Sequence, residues 1–199
     1  MANALVVFGK LEEAAEQYSA AALLLDGSPL PAIAATESAC ECKIRLLDFA
    51  GALDCLGTML DIMRAMRASE RDNRAQPAGE PRAGTPQDDF WVLGSALRHS
   101  AYGTIIARIE VTCVLLLLQL PLAVRDAHRF AALLVRYRGE DGGLCPSYMS
   151  EEVYLLTESV LQALEDEDLP ALQSVQSELW FPLNACQNEL LYTLNQLFR

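Results

Sequence analysis

From Gly139 to Phe198 the sequence contains no lysine or arginine, against eleven aspartates and glutamates. Such a stretch repels nucleic acid and anionic lipid, and so excludes the basic patch that phosphate recognition requires. It suits a basic protein surface, or serves as a solubilising acidic face. Histidine is scarce: His99 and His128 stand on separate predicted helices, each reading as a half-buried or surface side chain rather than a base. There is no phosphate-cradling glycine loop, no Gly-x-Ser-x-Gly elbow and no His-Glu-x-x-His. The acidic run Glu165-Asp166-Glu167-Asp168 lacks the glycine and alternating ligand spacing of a calcium loop. No Cys-x-x-Cys pair occurs, and Cys40 and Cys42 on one helix would point to different faces. A secreted disulfide scaffold would be shorter and denser in cysteine. Cys40, Cys42, Cys55, Cys113, Cys145 and Cys186 therefore read as reduced core thiols of a cytosolic protein. No basic segment with a cleavage site opens the chain. The strongest apolar run, Val111 to Leu118, falls short of the roughly 18 residues a membrane span needs. It reads as a buried core helix stopped by Pro121, and the protein as soluble, without direct membrane insertion. With no catalytic, cofactor or metal constellation, the expectation is a non-enzymatic protein that binds another protein.

What is present is helical. Of 199 residues, 52% are apolar, with leucine, alanine and glutamate dominant, enough for one or two small domains. The net charge of −12 is unevenly placed: Met1 to Arg138 is nearly balanced, with 14 basic and 16 acidic residues. Leu11, Ala14, Tyr18 and Ala21 share one helical face, in the pattern of the second helix of a tetratricopeptide-type hairpin, where small alanines let the paired helix come close. Asp26-Gly27-Ser28-Pro29 ends that helix with turn chemistry. A helix from about Pro31 to Leu46 leads into Asp48-Phe49-Ala50-Gly51-Ala52-Leu53. There Phe49, Ala52, Leu56 and Met59 repeat the first set at an offset of 38. In this register almost no chain precedes Leu11 to supply a first helix, so the chain is expected to be the C-terminal part of a longer solenoid.

Between Arg67 and Asp89 no large apolar residue occurs, which predicts a disordered linker. Helices are expected again from about Phe90 to Leu120, with Gly103 a candidate break, and from about Val124 to Arg138, followed by a loop at Glu140-Asp141-Gly142-Gly143. Ser150 is a candidate N-cap for a helix whose inward face carries Val153, Leu156, Val160 and Leu164. A short helix follows Pro170, with Leu172, Val175 and Leu179 inward, and Pro182 ends it. Asn184 with Gln187 predicts a capping-box start for a last helix to about Phe198. The fold class is thus all-α: a tetratricopeptide-like α-solenoid of antiparallel hairpins, with helical repeats over 1–66, a linker over 67–89 and C-terminal repeats with an acidic surface over 90–199.

Candidate protein-binding residues are Glu165, Asp166, Glu167 and Asp168, together with Glu178, Trp180 and Phe181. Adjacent aromatics before a helix break, in an acidic neighbourhood, are candidate anchors for a partner; the competing reading packs both into the final hairpin. Three stretches carry a resemblance. They are Arg108-Ile109-Glu110-Val111 leading into Val114 to Leu118; Glu151-Glu152-Val153-Tyr154-Leu155-Leu156; and Ser174 to Trp180 with Pro182-Leu183, Gln187-Asn188 and Leu190-Leu191. In these, Ala101 to Phe198 resembles the C-terminal part of the huntingtin-associated, factor VIII intron-22 family. More loosely the chain is similar to the soluble NSF attachment proteins. The closer resemblance implies a non-catalytic scaffold that binds and stabilises huntingtin, with links to a Rab-type small GTPase, early endosomes and vesicle traffic. It also implies a cytoplasmic location, with endosomal and nuclear pools. The looser one implies an adaptor in SNARE-dependent traffic, and a generic protein-interaction solenoid is the third reading.

Overall fold

The computed structural model of the chain describes residues 2–25, 27–73, 90, 93, 101–138 and 144–197. Among these residues there are ten helices and no strand, so the fold is all-α. The chain divides into two units, Met1–Ala83 and Gly84–Arg199.

The first unit consists of α1 (Ala2–Val7), α2 (Leu11–Leu24), α3 (Pro29–Arg45) and α4 (Phe49–Asn73), each packed on its sequence neighbour. Ala14 and Ala52, the small residues 38 positions apart, are both fully buried. At these positions the absence of a larger side chain lets two helices approach closely. Leu5 and Val6 of α1 pack with Leu11 and Tyr18 around Ala14, Ala15 and Cys42. The short stretch before Leu11, too brief on the sequence reading to supply a first helix, thus gives α2 a helical partner.

The repeat extends to backbone detail. The amide of Lys10 donates to Leu5 O (2.9 Å) and that of Gly9 to Val6 O (3.1 Å); 38 residues on, Asp48 donates to Lys43 O (2.9 Å) and Leu47 to Ile44 O (2.9 Å). These are Schellman turns, in which a residue of positive φ closes one helix and lets the chain reverse at once. Gly9 has φ 74° and Leu47 φ 60°. Asp48 also accepts from the amide of Gly51 (2.9 Å) and from Lys43 Nζ (2.9 Å), so it closes α3 and starts α4. A β-carbon on Gly51 would meet the Asp48 carboxylate and Lys43 Nζ, so a larger residue there would displace the Asp48 cap and its ion pair.

Two boundaries differ from the sequence reading. α3 begins at Pro29, with proline in its first turn, where the missing amide costs nothing. α4 continues through Asn73, into the segment read as linker from 67. Alanine, arginine and glutamate are good helix formers there, and no glycine or proline intervenes before Pro77. The rest of that segment, 74–89, lies outside the described residues, as do the loop Glu140–Gly143 and Phe198.

In the second unit α5 (Ala101–Gln119) is the central element. All eight residues from Val111 to Leu118 are buried, as expected of a helix that is apolar all round. It runs unbroken through Gly103. Its stretch Tyr102–Gln119 is long and apolar enough to cross a membrane by length and composition, yet 67% of it is buried inside the protein. The single helix read from Val124 to Arg138 is instead two short ones, α6 (Leu122–Ala127) and α7 (Ala132–Tyr137). The chain leaves helical geometry at His128 (ψ 143°), and His128 Nδ1 accepts from the amide of Phe130 (3.2 Å). The break brings Phe130 into the core, edge-on to Phe90 at 5.9 Å between ring centroids.

α8 (Glu151–Glu165), α9 (Leu169–Leu179) and α10 (Ala185–Leu197) follow, α10 packing on both α9 and α5. Ser150 caps α8 by accepting from Val153 N (3.3 Å). Asn184 and Gln187 form the capping box of α10, at 3.0 and 2.9 Å. The buried face of α8 is turned from the one expected: Tyr154, Thr157, Val160 and Leu161 point inward, while Val153, Leu156 and Leu164 are half-buried. Tyr154 sets this rotation by packing on Tyr137 of α7, 4.9 Å between centroids. On α9, Leu172 and Leu179 are buried and Val175 half-buried.

Candidate protein interface

The acidic run Glu165 to Asp168 is the turn between α8 and α9, and it is a third copy of the Schellman turn. Asp168 N donates to Ala163 O (2.8 Å) and Glu167 N to Leu164 O (3.4 Å), with Glu167 at φ 54°. Asp168 Oδ1 caps α9 through the amide of Ala171 (2.9 Å). Glu165 Oε1 accepts from Arg138 Nε (2.6 Å), and Asp166 Oδ2 from Gln162 Nε2 (2.7 Å). These carboxylates therefore do local structural work. They still present their charge to water, since all four residues are exposed.

Trp180 and Phe181 lie in the turn between α9 and α10, at the opposite end of α9, about 16 Å away for eleven residues at the helical rise. Of the seven candidate residues the structure brings Glu178, Trp180 and Phe181 together and keeps the acidic turn apart. The aromatics do not pack into the final hairpin: Trp180 is 58% exposed and Phe181 92%. Leu179 and Leu183, on either side, are the buried anchors instead. The turn is held by side-chain amides. Asn188 Nδ2 donates to Trp180 O (3.0 Å) and Leu183 O (3.2 Å). Gln187 Nε2 reaches across to α5, donating to Arg108 O (3.1 Å) and Thr112 Oγ1 (3.0 Å).

One polar cluster escaped the sequence reading. Glu110 on α5 is fully buried and pairs with the guanidinium of Arg136 on α7, itself 6% exposed. Glu110 also accepts from Tyr137 OH (2.9 Å) and Tyr148 OH (2.5 Å). Burial pushes the Tyr148 phenol up to about 12 against the lowering effect of Arg136, and raises Tyr137 well beyond the ordinary range. The signal was a lone acid inside an otherwise apolar helix. Its partners, 26 to 38 residues away, had none. The cluster fastens the segment before α8 to the central helix and offers no open face to a substrate.

In the first unit a half-open groove of about 800 Å³ lies among α2, α3 and α4, lined by residues such as Ala22, Leu25, Ala32, Ile62, Ala65 and Met66. The hydroxyls of Thr36, Thr58 and Ser69 on its wall bond back to their own helices at 2.9 to 3.1 Å, so they give a polar ligand little to orient it. No group of three or more metal-binding side chains occurs among the described residues. All six cysteines are thiols, four of them buried.

No family model matches the chain. It is 29% identical to the 40-kDa huntingtin-associated protein of Rattus norvegicus, in an alignment covering 98% of this chain and 59% of that protein. It is 28% identical to the Mus musculus protein of the same name, with the same coverage. The chain thus spans about three fifths of the length of these relatives. The similarity read from Ala101 onward extends across both units, so the chain as a whole resembles the 40-kDa huntingtin-associated protein.

Proposed function

We propose that this chain is a non-catalytic scaffold that binds huntingtin. The observation that carries the reading is similarity over 98% of the chain to proteins named for their association with huntingtin. The surface supports it: exposed aromatics and a run of acids without a basic side chain between them fit a basic face on a protein partner. In this reading the protein works in the cytoplasm, stabilises huntingtin as a complex, and links it through a Rab-type small GTPase to early endosomes and vesicle traffic.

The test is co-expression of the chain with full-length huntingtin, followed by size-exclusion chromatography. Co-elution at one-to-one stoichiometry that survives dilution supports the proposal. Separate elution at concentrations well above micromolar overturns it for this chain. Capture of the Rab-type GTPase only when huntingtin is present supports the endosomal role, and equal capture in its absence argues for a different adaptor function.

A further inference from the structure

We infer that the Trp180–Phe181 turn is a preformed anchor that enters an apolar pocket rimmed by lysine or arginine on the partner protein; the identity of that partner rests on the huntingtin reading above. Three observations converge on it. The first is exposure: two adjacent large aromatics stand 58% and 92% in water, while the leucines on either side are buried. Rigid, large side chains with few rotamers contribute much contact area to an interface at little entropic cost.

The second is rigidity. Buried amides are costly unless bonded, and here two of them are used to fix this turn. Asn188, 8% exposed, binds the carbonyls of Trp180 and Leu183. Gln187, 3% exposed, closes the capping box and ties the start of α10 to α5 through Arg108 O and Thr112 Oγ1. Leu183 N adds a bond to Leu179 O (3.0 Å). The backbone beneath the aromatics is therefore ordered before any partner arrives, which removes part of the cost of association.

The third is charge. Glu178 precedes the aromatics by two residues and Glu189 follows Asn188, both exposed, and no basic residue occurs between Gly139 and Phe198. The C-terminal carbonyls of α9 add negative potential at the same point. A basic rim is the complement of this arrangement, and an anionic membrane or nucleic acid is repelled by it.

The experiment compares binding kinetics on immobilised full-length huntingtin for the wild-type chain, a Trp180→Ala/Phe181→Ala variant and a Glu178→Lys/Glu189→Lys variant, at low and high salt. Because the substituted side chains are exposed, all three should give the same circular dichroism, and the aromatic variant should melt with wild type. The charge-reversed variant should melt no lower, since it relieves repulsion within the acidic surface. The aromatic variant should dissociate at least about tenfold faster with a nearly unchanged association rate. The charge-reversed variant should associate several-fold more slowly and with a weaker dependence on salt. An aromatic variant that dissociates within about twofold of wild type overturns the anchor while leaving huntingtin binding intact. Failure of the wild-type chain to bind removes both readings. Co-sedimentation with zwitterionic phosphatidylcholine vesicles that is lost in the aromatic variant reassigns the turn to lipid and overturns the protein pocket.

Discussion

Glu110 illustrates how one residue can commit a fold. A fully buried carboxylate is tolerable only with its charge met and its lone pairs filled, and Arg136, Tyr137 and Tyr148 do both. Replacing Glu110 by Gln leaves the Arg136 guanidinium uncompensated. The expected loss is about 3–5 kcal/mol in urea or thermal unfolding. A Glu110→Gln/Arg136→Met double variant should recover much of it, a non-additivity that a double-mutant cycle measures. The tyrosines make a second test. Tyr148 is raised from its ordinary value to about 12 in the folded protein. Its contribution to stability is therefore fully present below the unfolded value of about 10 and is lost as pH rises through the folded one. Thermal melts at increasing alkaline pH should fall across that window, and tyrosinate absorbance from this residue should appear only towards its upper end. Nothing local announces such a cluster. The acid in the α5 run was visible in the sequence, whereas its companions are ordinary residues on other elements whose role exists only after folding.

At the scale of elements the recurring unit is the three-residue turn. Gly9, Leu47 and Glu167 occupy the same left-handed position in three hairpins, and only the first is glycine. A side chain there costs about 1–2 kcal/mol, so Leu47→Gly should raise the melting temperature, by about 1 kcal/mol of stability after the entropy of the unfolded glycine is counted. Gly51→Ala should do the opposite, because its methyl displaces the Asp48 carboxylate that caps α4 and pairs with Lys43. Comparing these two melts with wild type checks the turn geometry directly. Much of this level was legible beforehand. The offset of 38, the Ser150 cap and the Asn184–Gln187 box are written in short-range spacing, where local chemistry decides. The break at His128 was not, since no glycine or proline marks it and the burial of Phe130 provides the reason. The buried face of α8 keeps Val160 but departs from simple periodicity at Tyr154, which is drawn inward by Tyr137, a choice made by tertiary packing. At the interface, composition revealed the acidic field and the aromatic pair, but not that α9 holds the two apart.

For the whole molecule the decisive quantity is charge. Two thirds of the net charge of −12 resides in the second unit, which carries −8 against −4 for the first. Like charges on one surface repel, and added salt screens them over a few ångströms at molar concentration. Raising salt from low to about 1 M should therefore raise the melting temperature, by about 2–4 °C, while slowing association with a basic partner. Melting curves and association rates taken over the same salt series should move in opposite senses. A parallel decline in both would mean that the acidic surface is held together by ion pairs rather than strained by repulsion.

The buried thiols give the molecule an unplanned property. Cys40, Cys42 and Cys55 are enclosed in the first unit, and Cys113 lies fully buried on α5 in the second, its thiol pushed up by burial. An alkylating reagent reaches them only when the helices around them part. Each unit therefore carries its own chemical clock. The labelling rates of the two sets record how often each half of the chain opens, with no probe introduced, and show whether a bound partner slows one half or both.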